Sequence, residues 1–534
     1  MQIMKFLAIL VPLFALALAQ SQFVRAVGGT NNDGGNSVVQ TSDGGLAVAG
    51  LTYSYGAGSY DFFLVKFSST GTYEWSRAVG GTSDDDGWSV VQTSDGGFAV
   101  AGMTRSYGAG EEDFFFIKFT STGSVEWYRI VGGTIGDWVN SIVQTTDGSF
   151  VGTGIYNYDY MAWSGHLFVV KFTSTGTLEW SRAFSGADVY FIHDEGMSII
   201  QTSDAGFAVA GYTSRYGAGT EDLLLVKFRP AGSIEWARAV GGTNYDRGYS
   251  IIQTSDGGFA VAGLTWSYGA GNDDLFLVKF TSIGSVEWAR TIGGINTDWA
   301  NSIIQTSDGG LVATGLYDYE FTTYTAALIL IKFTSTGSLE WSHIIGEAHH
   351  DEGMSIIRTS DGGLAVAGYT LSYGAGGDLF LVKFDAEGNT CIGEAVSPTI
   401  MEVTPTVTDV TPTIVDVTPT ITDVAPIVAD IAPTITEICT DDIMETVIKP
   451  ATLEISVSPN PFNSSCEISI ACGRGLINQT PTTEIFDVEG KKITELSNGQ
   501  RIWTPEKEIG SGIYFVKATI KDGQSAIKRI VFMK

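Results

Sequence analysis

Basic side chains are scarce in this chain. Thirty Lys and Arg stand against 59 Asp and Glu over 534 residues, a formal net charge of -29. That surplus of negative charge repels phosphate backbones and anionic bilayers, which sets aside nucleic acid and membrane surfaces as partners. Cysteine is scarcer, four in all, so the fold does not rest on a disulfide framework. Cys466 and Cys472 lie on one alternating, strand-like segment. A strand of that length spans roughly 20 Å, too far for the two to bridge. Cys391 and Cys439 bracket a proline-bearing segment and are free to pair, although nothing requires it. No apolar run beyond the N-terminus is long enough to span a bilayer. A 3.6-residue apolar period is missing. So are a Gly-x-Ser-x-Gly elbow, a phosphate loop and a clustered Cys/His ligand set. Carboxylates are so numerous that no pair stands out as an acid/base couple.

Glycine, by contrast, is abundant at 66 residues, and 44% of the chain is apolar. Together with many aromatic and β-branched residues, this describes a turn-rich all-β protein. The N-terminus reads as a secretory signal over residues 1–19. Lys5 is the positive end, Phe6 to Leu18 the apolar run, and Ala17-Leu18-Ala19 the cleavage pattern, so the mature chain is expected to begin at Gln20.

A repeat dominates residues 20–396. Gln-Thr-Ser-Asp-Gly-Gly or a close variant begins at Gln40, Gln92, Gln144, Gln201, Gln253, Gln305 and Arg358. Each unit holds four strand-like stretches. In the fifth they are Ser250–Thr254, Phe259–Leu264, Leu275–Phe280 and Val286–Ile292, separated by turn signals such as Ser255-Asp256-Gly257-Gly258. Four antiparallel strands per unit, seven times over, is the arithmetic of a seven-bladed β-propeller of four-stranded blades. The fourth strand, marked by Trp75, Trp127, Trp180, Trp236, Trp288 and Trp341, has an extra copy at Phe23–Gly28. That copy is expected to complete the last blade. Thr390 to Ala395 is a degenerate further copy and leaves the register open. Units 2 and 5, 3 and 6, and 4 and 7 resemble each other most, so the ring reads as grown by copying three blades at once.

These motifs carry a resemblance: Arg238 to Gly242, Ser255 to Gly258, Ala260 to Thr265 and Asp274 to Phe280. The repeat resembles the bacterial seven-bladed β-propeller repeat family of exported proteins. That resemblance implies architecture and is silent on function. From 397 to 450 the chain becomes a Pro/Thr-rich linker. Pro398, Pro405, Pro412, Pro419, Pro426 and Pro433 recur every seventh residue. Proline fixes φ and lacks a donor, so an extended, semi-rigid stalk is expected. Residues 451–534 read as a small β-sandwich with strands at Glu467–Ile470, Glu484–Asp487, Ile513–Val516 and Ala526–Phe532 and a turn at Glu489-Gly490. Ser458 to Asn463, Asp487 to Lys491, Ser511 to Phe515 and the basic end from Lys528 resemble the immunoglobulin-like C-terminal sorting domain of the type IX secretion system. The resemblance implies passage across the outer membrane, with secretion machinery as partner and a secreted or cell-surface location.

In a four-strand meander the turns after strands one and three share one side. Here they are short and uniform. The longer, variable connections share the other, where binding residues collect. Blades 3 and 6 depart most. In place of Ser-Tyr-Gly-Ala-Gly they carry Tyr156, Tyr158, Asp159, Tyr160 and Trp163, and Tyr317, Asp318, Tyr319, Glu320 and Tyr324. Aromatic faces stack on sugars and carboxylates accept hydroxyl bonds, so these are the ligand-binding candidates. Packing of longer loops against their neighbours is the plainer reading.

Asp33, Asp85, Asp137, Asp194, Asp246, Asp298 and Asp351 recur seven positions before each Gln-Thr motif. They suit either the fixing of an inter-blade turn or a carboxylate ring that draws a cation, with calcium the metal it would take. Asp43, Asp95, Asp147, Asp204, Asp256, Asp308 and Asp361 belong to the hairpins, while Lys66, Lys118, Lys171, Lys227, Lys279, Lys332 and Lys383 are expected to be solvated or paired. His193-Asp194-Glu195 and His350-Asp351-Glu352 are poor metal sites, because neighbours in a strand point apart. No catalytic residue and no cofactor is assigned. The functional expectation is an exported binding or adhesion protein with a glycan or protein ligand. The alternatives are an extracellular enzyme on the same scaffold, polysaccharide-active or quinone-dependent, and a structural surface-layer component. Lys118 to Trp127 resembles the Trp-bearing repeat of quinone-dependent dehydrogenases.

Overall fold

The computed structural model describes residues 22–185, 192–346, 349–396, most of 398–440 and the strands of 453–532. The signal-peptide segment with its cleavage site, and the Glu489-Gly490 turn, lie outside the described residues. The chain divides into two compact units, Met1–Asp442 and Ile443–Lys534. All regular structure among the described residues is β.

The fifth blade shows how each unit is built. Its strands are Asp246–Gln253, Phe259–Thr265, Asp274–Phe280 and Val286–Gly293, paired in order as an antiparallel meander. The middle two strands are buried at every position, which explains their unbroken apolar runs. Apart from Thr265 and Asp274 at the strand ends, Lys279 is the exception. It buries its stem and turns Nζ to the Phe280 carbonyl at 3.1 Å, with Asp256 and Glu287 each at 2.9 Å. The repeated lysines are therefore paired and mostly enclosed, not solvated.

Seven such sheets close into a propeller, and hydrogen bonds between neighbours trace the circle. Ser37 Oγ accepts from Val90 N at 3.1 Å. The same bond passes from blade to blade through Ser89, Ser141, Ser198, Ser250 and Ser302, until Ser355 accepts from Val38 N at 3.2 Å in the first blade. The serine four residues after each ring aspartate is thus the joint between blades. Ser250→Ala is expected to cost about 1 kcal/mol in urea unfolding, the net worth of one such bond.

The N-terminal strand Phe23–Gly28 pairs with Asp378–Phe384, setting Phe23 opposite Lys383 as Trp288 is set opposite Lys279. It therefore completes the last blade. The fourth-strand aromatic has a second task. Trp236 lies over Gly284 of the next blade's hairpin, so closely that a Cβ there would come within 2.8 Å of the ring. Gly284 also has φ of 79°. Only glycine meets both demands. Phe23 covers Gly71 of blade 1 in the same way.

The proline-bearing segment is not a stalk. It is extended, as expected, but it runs around the rim of the propeller and adds a fifth strand to every blade. Glu394–Ala395 joins blade 6, Thr399–Glu402 blade 5, Thr406–Asp409 blade 4, Thr413–Asp416 blade 3, Thr420–Thr422 blade 2, Ile427–Asp430 blade 1 and Thr434–Thr440 blade 7. The seven-residue period is the step from one outer edge to the next. Seven extended residues reach roughly 23 Å, enough for that step. Pro398 and Pro405 fall between strands, where no ladder donor is needed. Register brings an acidic position of the belt opposite a fourth-strand arginine: Glu402 to Arg290, Asp409 to Arg238, Asp416 to Arg182, Asp430 to Arg77 and Glu437 to Arg25. Arg290 and Glu402 pair at 3.5 Å. The belt so covers the outer edges that a propeller otherwise leaves open to other chains. Glu394–Ala395 goes to blade 6, which answers the register question left by Thr390 to Ala395.

The second unit forms a three-stranded sheet (Leu453–Ser458, Cys466–Cys472, Ile502–Trp503) and a four-stranded one (Lys492–Leu496, Thr482–Phe486, Gly512–Thr519, Ser525–Phe532). Ile468, Ile485, Trp503, Tyr514 and Val516 make its core. Cys466–Cys472 is one strand, paired along its length with Leu453–Ser458.

Candidate ligand-binding face

The ring aspartates come first, because they shape the variable face. All seven are buried. Asp246 accepts from Gly242 N at 2.7 Å, from Ser267 Oγ at 2.6 Å and from Thr265 Oγ1. Asp33 and Asp85 repeat that set with Gly29, Ser54 and Thr52, and with Gly81, Ser106 and Thr104. Each carboxylate staples its own inter-blade turn to the start of the next long loop. Among the described residues no group of three or more His, Cys, Asp or Glu is arranged to hold a metal.

Blades 3 and 6 make the staple differently. Asn157 N donates to Asp137 at 2.8 Å and Asp318 N donates to Asp298 at 2.7 Å. Both donors are left-handed, with φ of 55° and 59°. This bulge lets the second and third strands run on past the point where other blades turn. Phe150–Asp159 and Leu311–Glu320 are ten residues long, against seven in Phe259–Thr265. What reads in the sequence as two long loops is a pair of tall hairpins, three blades apart.

The structure divides the candidate residues. Tyr158 is buried against Trp138, with ring centres 5.2 Å apart, and against His193 at the same distance. Tyr156 stacks on Phe168, Tyr317 is half-buried, and Tyr319 packs on His350 at 5.5 Å. These rings are footings of the hairpins. Asp159 accepts from Met161 N and Ala162 N, and Glu320 from Thr322, so both carboxylates cap their own turns. Asp318 accepts from Asn296 Nδ2 at 2.8 Å. Tyr160 is partly exposed and gives its hydroxyl to Glu112, which Arg105 Nε holds at 2.9 Å.

Trp163 and Tyr324 are different. They occupy the same position in the two hairpins, are 62% and 68% exposed, and have φ of 51° and 55°. An L-residue with a bulky side chain rarely takes that conformation, and it costs roughly 1–3 kcal/mol. Met161 and Phe321 beside them are exposed as well. Tyr53 and Trp266 add exposed rings at the corresponding loops of blades 1 and 5, with Trp266 stacked on Tyr245. Sequence reasoning missed these two. The signal was present, since Tyr53, Arg105, Ser214, Trp266 and Leu371 share one position that varies among near-identical units.

Beneath the hairpins lies a polar network at the axis. Glu195 accepts from Trp138 Nε1 at 2.9 Å, Asn140 Nδ2 at 2.7 Å and Tyr212 OH at 2.6 Å, and His193 Nε2 lies 3.1 Å from its Oε2 without a hydrogen bond of good geometry. Glu352 repeats it with Trp299, Asn301 and His350. Burial alone would push the Glu195 carboxyl up, but these bonds and the neighbouring His193 ring hold it at about 2. Asp86, fully enclosed, rises to about 7 through burial, despite bonds from Trp88 and Asn36.

An exported β-propeller with a separate targeting unit is the class these features define. Residues 456–533 are a secretion system C-terminal sorting domain, and the protein is accordingly secreted or displayed at the cell surface. Residues 41–73 match the β-propeller family described as a domain of unknown function, DUF5122. The chain is 29% identical over 134 residues to the regulatory protein FlaEY of Caulobacter vibrioides, covering 22% of this chain and 14% of that one. It is 22% identical over 430 residues to a WD repeat-containing protein, L264, of Acanthamoeba polyphaga mimivirus, covering 58% and 31%. The chain thus spans less than a third of either relative. Among solved structures it is similar to PorZ, a surface component of the type IX secretion system of Porphyromonas gingivalis, at 11% identity over 95% of this chain and 60% of that one, with a TM-score of 0.38. No helix among the described residues is long and apolar enough to cross a membrane.

Proposed function

We propose that the propeller is a binding module for an extracellular ligand, held at the variable face by the aromatic side chains of the two tall hairpins. One observation carries this. Trp163 and Tyr324 sit at matching positions, solvent-exposed, in a backbone conformation that glycine or asparagine would adopt at far lower cost. Nothing in the packing calls for a ring at either place. Strain kept in duplicate for the sake of two exposed aromatics is accounted for by a ligand that stacks on them. Glycan is the favoured ligand class, because flat exposed rings suit apolar sugar faces; a protein surface is the second. Two patches three blades apart suit a polymer or a repeating surface better than a single small molecule.

The test is binding of the full chain to glycan and protein arrays, followed by the double variant Trp163→Gly, Tyr324→Gly. Affinity is expected to fall at least tenfold while the melting temperature holds or rises, since the strain is relieved. Unchanged affinity would move the site elsewhere.

A further inference from the structure

We propose that the belt is a covalently closed hoop. Cys391 is bonded to Cys439, so residues 391–439 encircle the propeller and tie the belt's beginning to its end. Cys391 is disulfide-bonded. Of the other three cysteines, Cys466 and Cys472 share one strand of the second unit, while Cys439 belongs to the propeller unit. The belt leaves Cys391 at blade 6, where Glu394–Ala395 pairs with His343 and Ile344. It passes blades 5 to 1 in descending order and ends on blade 7, which is next to blade 6. There Cys439 stands opposite Val24 in the ladder. Cys391, Ile392 and Ile438 pack against the same apolar cluster, together with Trp341 and Tyr373. The two ends of the belt therefore meet, and the cysteine adjoining Ile438 is the partner within reach.

The hoop has a mechanical consequence. The belt strands from blade 5 to blade 1 are short, three or four residues each. Taken singly such strands fray readily. Beyond Cys439 the chain continues into the second unit. A pull from that side would peel an open belt off one blade at a time. With the bond in place, tension arriving at Cys439 passes to Cys391 and the belt stays seated. Closing the hoop joins two thiols in one disulfide. The two protons and two electrons pass to an oxidising protein disulfide, which leaves as a dithiol.

The experiment uses the full chain. Non-reducing peptide mapping is expected to return one species joining the Cys391 and Cys439 peptides. A single protease cut between residues 397 and 437 is expected to leave fragments that migrate together on a denaturing gel until a dithiol is added. Hydrogen exchange across 399–440 is expected to quicken by on the order of 100-fold or more in Cys391→Ser, as loop entropy is restored, while the inner strands of the blades keep their protection. That last readout separates an opened belt from a misfolded propeller. Free thiol at Cys391, linkage to Cys466 or Cys472, or fragments that part without reductant would each overturn the hoop.

Discussion

A chain beginning at Gly29 is expected to lose cooperative folding. Residues Phe23 to Gly28 lie between the third strand of blade 7 and the last strand of the belt, so their removal strips two ladders at once. Phe23, Val24, Ala26 and Val27 are at most 1% exposed. Truncating one buried Phe costs about 3–5 kcal/mol. Losing the whole strand exceeds the net stability of most domains, about 5–15 kcal/mol. The ring is expected to reopen at that joint and to expose the outer edge of Asp378–Phe384. Circular dichroism and a thermal scan of the shortened chain check this, and a synthetic peptide of residues 20–28 is expected to restore the transition. A smaller change tests the register. Phe23→Trp is expected to be tolerated, because six other blades carry Trp over the same hairpin glycine, whereas Phe23→Ala is expected to cost about 3–5 kcal/mol. A stable, cooperatively melting chain without residues 20–28 would show that the clasp is dispensable.

That strand was legible because it repeats a motif. Phe23-Val24-Arg25-Ala26-Val27-Gly28 copies the fourth-strand ending seen at Arg77–Gly80 and Arg238–Gly241, and a repeat with one copy out of place has few places to go. The blades were legible for the same reason, with turn signals between apolar runs of fixed spacing. The belt was not. Its prolines argue against a ladder when each is considered alone, and only the count joins the two periods: seven residues per step, one step per blade. The acidic position opposite each arginine is plain once the strands are paired and carries no signal before, because the partners lie from 112 to 412 residues apart. In the candidate site, residue type was informative and burial was not. Tyr158 and Trp163 look alike in sequence, yet one is a footing and the other is exposed. The difference arises from a bulge at Asn157 that turns the following residues by one register position, which alternation alone does not reveal.

Stability is expected to peak in mildly acid solution and to fall toward pH 8. Burial raises Asp86 and Asp298 to about 7, and Asp137, Asp222 and Asp274 to about 6. In the unfolded chain these carboxyls titrate near 4. The folded protein therefore binds more protons between pH 4 and 7. Their contribution is complete below about pH 4 and is lost as pH rises through 6 to 7. Glu195 and the hairpin aspartates Asp43, Asp95, Asp204 and Asp256 act in the opposite sense. They are held at about 2, so their contribution is complete at neutral pH and is lost only as pH falls through 2. Melting temperatures between pH 3 and 8 check the sum, with the maximum expected near pH 4 to 5. Asp86→Asn is expected to flatten the alkaline limb. A profile that rises steadily to pH 8 would mean that the buried carboxyls remain ionised.

Glu195→Ala is expected to be the most damaging single change at the axis, at about 3–5 kcal/mol, because it leaves the three donors of Trp138, Asn140 and Tyr212 facing an enclosed gap. Glu195→Gln keeps the oxygen that serves Trp138 and Asn140, and is expected to cost about 1–2 kcal/mol. Glu195 holds His193, His193 packs on Tyr158, and Tyr158 supports the hairpin that carries Trp163. Glu195 is thus a positioning residue for the exposed ring above it. In the Ala variant, hydrogen exchange at residues 156–166 is expected to rise before that of the equivalent hairpin at 317–327, which Glu352 supports separately. Equal loosening of both hairpins would deny Glu195 this local role and leave it a general core contact.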